Sequence, residues 1–134
     1  KDHNPTVFLS KQAKILEKYV TNFLLALLHS GTNTHLMHWA TDSYAKHVAL
    51  GTYYDSIIDL VDAYAEAYMG KYGQLKKFPS EYHQHDDPVR YLVSVNKFVG
   101  DVRGKLPQDP ELNQLVDNIQ ELLDTTIYKL KYLK

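Results

Sequence analysis

The chain has no cysteine among its 134 residues, which excludes a disulfide framework, a thiolate metal site and a cysteine nucleophile. It also lacks a long apolar run: the longest patch, Phe23 to Leu28, is about a third of what a membrane helix needs, so no membrane span is expected. No charge dominates. Fifteen Lys and Arg stand against sixteen Asp and Glu, a net charge of −1 that gives no electrostatic footprint for DNA. The opening Lys1-Asp2-His3-Asn4-Pro5 has no apolar segment of a signal peptide and no initiator Met. The absence of cysteine suits a cytoplasmic protein. The four basic residues Lys1, Lys11, Lys14 and Lys18 are too few for a DNA-compacting tail.

What remains is ordinary for a globular chain: 44% hydrophobic and 23% charged residues, enough for one compact domain over residues 1–134. The apolar residues recur at helical spacing in four stretches. The first runs from an N-cap at Ser10 to His38, with Ile15, Tyr19, Phe23, Ala26 and Leu27 inward and a possible kink at Gly31 and Asn33. The second runs from Ser43 to Met69, with Leu50, Tyr54, Ile57, Ile58, Val61, Ala65 and Tyr68 inward and Gly70 and Gly73 at its end. Residues 70–87 form a polar connector with room for a short helix. Asp87-Pro88 opens the third stretch, carrying Tyr91, Leu92, Val95, Phe98, Val99 and Val102. Asp109-Pro110 opens the fourth, carrying Leu112, Leu115, Val116, Ile119, Leu122, Leu123, Ile127, Leu130 and Leu133. The expected fold is therefore all-α, an up-down four-helix bundle with a long crossover between helices 2 and 3, which is the ferritin-like arrangement.

Metal-capable side chains concentrate between Thr34 and Tyr68. His35, His38 and Trp39 come first, then His47, then Asp55, Asp59, Asp62 and Glu66. At about 100° per residue the four carboxylates share a stripe roughly 60° wide on one helix face. Such a stripe is ordinarily a solvated face, and Trp39 ordinarily a packing residue; His47 at the apolar margin makes a ligand role for the stripe worth testing. His83 and His85, beside Glu81, Asp86 and Asp87, read as a polar loop. Tyr53, Tyr54, Tyr64 and Tyr68 are expected at the core or an interface with wet hydroxyls. No Glu-x-x-His occurs, so a di-iron centre inside one bundle is not expected.

The run His38-Trp39, then His47, then Asp62-Ala63-Tyr64-Ala65-Glu66 resembles the DNA-protecting mini-ferritins called Dps. Phe98-Val-Gly-Asp-Val-Arg103 and the apolar pattern from Glu111 to Leu133 are similar to that family's third and fourth helices. The resemblance implies a homo-oligomer, a closed shell of twelve subunits, with a two-fold interface through helices 1 and 2. It implies an iron site shared across that interface, with His38 and His47 from one subunit and Asp62 and Glu66 from the other. His35 is the alternative first-helix ligand, because the interval from His38 to His47 is shorter than the family's. Gly51 stands where the family has an Asp, and Asp55, one turn on, could compensate. The implied activity is oxidation of iron(II) by peroxide or dioxygen, a ferroxidase, followed by storage of the oxide in the shell. Imidazole with carboxylate suits Fe(II), with Zn or Mn able to compete. The alternative is a metal-free bundle serving as a structural or partner-binding module, for which Gly51 argues.

Overall fold

The computed structural model describes the backbone of residues 5–134 and the side chains of residues 11–134. Among these residues there are four α-helices and no strand: α1 (Pro5–Ala40), α2 (Tyr44–Tyr72), α3 (Pro88–Val102) and α4 (Pro110–Tyr132). A short 3₁₀ turn, Arg103–Lys105, follows α3. No described helix is long and apolar enough to cross a membrane.

The helix ends have local causes. The Ser43 hydroxyl accepts the amide of Lys46 at 3.2 Å and caps α2, while Thr41 Oγ1 accepts the amide of Ser43, so three residues suffice for the α1–α2 turn. Asp87 caps α3 by accepting the amide of Arg90, with Pro88 in the first turn. Gly73 ends α2 at φ +105°, a conformation that L side chains rarely adopt. Asp109 precedes α4 without a side-chain cap, because its carboxylate instead accepts Tyr72 Oη at 2.6 Å and pairs with Lys71 at 3.0 Å. The expected cap at Ser10 is corrected: α1 begins at Pro5, so Ser10 lies within the helix. Lys1 lies outside the described residues. The helix runs unbroken past Gly31 and Asn33, and residues 73–87 contain no helix.

α1 packs on α2 and α3, and α4 packs on the same two, so consecutive hairpins sit side by side with α2 and α3 across a diagonal. One end of the bundle brings together Tyr72, Asp109 and, through a 5.4 Å cation–π contact, Lys105 and Tyr19. The other brings together Ala40, Thr41, Asp86 and Pro88, and Tyr44 with Lys129 and Leu133. The connector therefore runs the length of the bundle, and the helices run up, down, down, up rather than alternating.

The core holds Phe23, Leu27, Leu50, Tyr53, Ile57, Tyr64, Leu92, Val99, Leu112, Ile119 and Leu123, each at 1% exposure or less. Three expected core residues face solvent: Ile15 at 52%, Ile58 at 46% and Leu133 at 47%. On α2 the buried positions are 49, 50, 53, 57, 61, 64 and 68. From Leu50 on, these steps of three and four present one seam between α1 and α4, and Ile58 lies one residue off it. Tyr54 lies off it too, and is half-buried.

Candidate metal centre at the corner of helices 1 and 2

The three-residue turn after α1 brings His38, near its end, against His47, in the first turn of α2. Their rings stack with centroids 3.7 Å apart at 19°. Each ring Nδ1 meets the other residue's backbone oxygen, His38 Nδ1 to His47 O at 2.5 Å and His47 Nδ1 to His38 O at 2.8 Å. A carbonyl oxygen can only accept, so both Nδ1 atoms carry the proton. In the neutral ring each Nε2 then keeps its lone pair. Holding one imidazole nitrogen on a backbone carbonyl is how proteins orient the other for a metal.

Gly51, one turn beyond His47, is the seat of this pair. A Cβ there would lie 3.0 Å from His38 Cε1 and 3.2 Å from its Nδ1, tighter than most side chains pack, so the ring would have to give by a few tenths of an ångström. The absence of a side chain at 51 thus has a local cause in the position of the His38 ring. His35 stacks flat on Tyr54, at 3.9 Å and 10°, with its ring 6.4 Å from that of His38. Tyr54 also meets His38 edge-on at 5.3 Å and so supports both imidazoles, a role that its place among helix-face apolar residues conceals in the sequence. Trp39, expected to pack, is 67% exposed in the single chain and touches only the His35 ring among the aromatic contacts, at 4.6 Å.

The carboxylates are elsewhere. Asp55, Asp59, Asp62 and Glu66 are all exposed on the outer face of α2. Among the described residues no three His, Asp or Glu side chains of one chain group to hold a metal ion. The imidazoles are therefore brought together, and Asp55, Asp62 and Glu66 are not brought to them.

A different polar centre escaped the sequence reading. Asn33, read there as a weak point in the helix, is fully buried. Its amide donates to Tyr91 Oη at 2.9 Å and to the backbone oxygen of His83 at 3.1 Å, and its carbonyl accepts Tyr82 Oη at 2.8 Å. Ser30 and Tyr53 form a second buried pair, their hydroxyls 2.7 Å apart. Burial pushes the Tyr53, Tyr64 and Tyr91 phenols up, so they stay protonated across the physiological range.

The model of a family of unknown function, DUF5856, matches residues 38–130, from His38 through most of α4. The chain belongs to the DUF5856 family. That match takes in His38, His47, Gly51, Asp55, Asp62 and Glu66 and leaves out His35 and Asn33. No curated protein and no solved structure matches the chain.

Proposed function

We propose that this chain is a Dps-like ferritin, which binds and oxidises iron(II) at a site shared between two subunits and sequesters iron in an oligomeric shell. The observation that carries the reading is the reciprocal hydrogen bonding of His38 and His47, which fixes both Nδ1 protons and leaves both Nε2 lone pairs for a cation. The up-down-down-up course of the helices, with one crossover along the bundle, supports the ferritin-like part of the proposal. The exposure of Asp62 and Glu66, one turn apart on α2, supports sharing, since they are available to a second copy and not to their own chain's imidazoles.

The donor set fits the group. His38 and His47 of one subunit and Asp62 and Glu66 of another would hold iron(II), with His35 and Asp55 at the margins and Zn or Mn as competitors. Bound there, iron(II) supplies the electrons that reduce peroxide or dioxygen, a ferroxidase activity that protects against oxidative damage in a cytoplasmic setting. The protein's own part is to hold the imidazoles in one tautomer and to contribute the carboxylates from the exposed face of α2. A dimer through α1 and α2, repeated into a shell such as a dodecamer, is the assembly this needs.

The second reading, a metal-free bundle acting as a structural or partner-binding module, is favoured by Gly51, where the His38 ring fills the space next to a missing ligand. Anaerobic titration of the protein with Fe(II), followed by absorbance on adding peroxide, separates the two. The ferritin reading expects saturable binding and an oxidation signal that Glu66→Gln abolishes while helical content and assembly persist. No binding by the unaltered chain supports the metal-free module.

A further inference from the structure

We infer that residues 80–87 of the connector form an acid-released latch on α1, worked by His29, His83 and His85. The three imidazoles come from two separate elements, α1 and the connector, and line one open cavity of ≈ 200 Å³ with Tyr91, Ser94 and Phe98 of α3. The connector has little else to hold it there. Residues 80–87 are exposed throughout and contain no helix. Their attachments are the hydrogen bonds to Asn33, the edge-on contact of Tyr82 with His29 at 4.9 Å and the stack of His85 on Tyr91 at 4.5 Å. Two of these three attachments include an imidazole, that of His29 and that of His85.

The charged groups around His29 decide the direction. From the connector it faces Tyr82, His83 and His85, and from α3 it faces Tyr91, whose phenol burial pushes up. Arg90 shares the adjoining cavity with His85, Asp86 and Asp87; these one positive and two negative groups are all exposed, so water screens them from His29. The Asp87 carboxylate accepts the Arg90 amide and keeps its charge at the start of α3. Glu81 lies 3.9 Å from His83 Nε2, but these side chains are 84% and 75% exposed, and water screens that attraction. Burial first, and the His83 charge second, hold His29 below the ordinary imidazole value of 6.5.

The closed latch therefore binds fewer protons than the open one. Its stability is complete above about pH 6.5 and is lost as pH falls from there towards the lowered value of His29. Release would uncover Tyr91 and the wall of α1 at Leu36 and Met37, which the connector now flanks.

The absence of cysteine allows a single spin label at Ser80→Cys on the full chain, read by continuous-wave EPR. The ratio of mobile to immobile label is expected to rise several-fold between pH 7.5 and pH 5.5, within the limit of about tenfold per pH unit for each extra proton bound. His29→Phe keeps a ring against Tyr82 and removes the titration, so it is expected to abolish the acid response. His83→Gln, at an exposed position that does not endanger the fold, is expected to reduce it. A label ratio unchanged between the two pH values overturns the latch. So does a full acid response in either variant.

Discussion

Two tyrosines on one helix are expected to respond in opposite directions to loss of the same atom. Tyr53 and Tyr64 are both at 0% exposure on α2. The Tyr53 hydroxyl pairs with Ser30 at 2.7 Å, whereas the Tyr64 hydroxyl is buried without a hydrogen-bond partner among the described residues, its ring edge-on to Phe23 at 5.1 Å. A buried, unpaired hydroxyl costs about 1–3 kcal/mol, so Tyr64→Phe should stabilise the fold by roughly 1 kcal/mol or more. Tyr53→Phe removes a made bond and should destabilise by about 1 kcal/mol. Ser30 Oγ keeps its own bond to the Leu27 oxygen at 2.6 Å, which holds that loss near the low end. Urea unfolding followed by far-UV circular dichroism, at one fixed protein concentration, measures both; Trp39 is too exposed to report on the core. A Tyr64→Phe variant less stable than the parent by 1 kcal/mol or so would refute the reasoning, and so would two variants of equal effect.

Gly51→Ala should gain about 1 kcal/mol of helix propensity and lose a similar amount as the His38 ring gives way. Stability then barely changes while the His38 Cε1–H resonance leaves its stacked position in a proton NMR spectrum; an unmoved resonance contradicts the seating of the ring on Gly51. At the opposite end of the bundle, the Tyr72 hydroxyl and then the Lys71 ammonium hold Asp109 below its ordinary 3.8, and Lys71 holds Glu111 below 4.5. Their contribution is present above those ordinary values and is lost as pH falls through the lowered ones, so Asp109→Asn with Glu111→Gln should flatten the acid limb of a stability–pH curve below about pH 4.5.

The sequence carries the four helices well because the Asp-Pro starts, Ser43 and Gly73 act on their own neighbours. It carries the core of α2 less well. Tyr53 and Tyr64 are readable as core or interface residues, but the seam between α1 and α4 buries them completely, hydroxyls included, and turns Ile58 outward. The meeting of His38 and His47 is legible from the short turn between them, but the two backbone oxygens that fix their tautomers are not. Asn33 is the sharpest case. Its partners lie 49 to 58 residues away, on the connector and α3, so nothing near it in the chain marks it as a hub. The proposed sharing of the carboxylates would involve a second copy, which the order of residues in one chain does not encode.

That sharing is best tested by mixing inactive subunits. A His47→Asn protomer keeps Asp62 and Glu66, and a Glu66→Gln protomer keeps His38 and His47. If the site spans a two-fold interface, a mixed dimer restores one of its two sites, and random reassembly of equal amounts should recover roughly a quarter of the parent's iron oxidation. Each variant alone should oxidise no iron above the uncatalysed rate. A reassembled mixture as inactive as its two components, made from a parent that oxidises iron, would contradict a site built from one subunit's imidazoles and another's carboxylates.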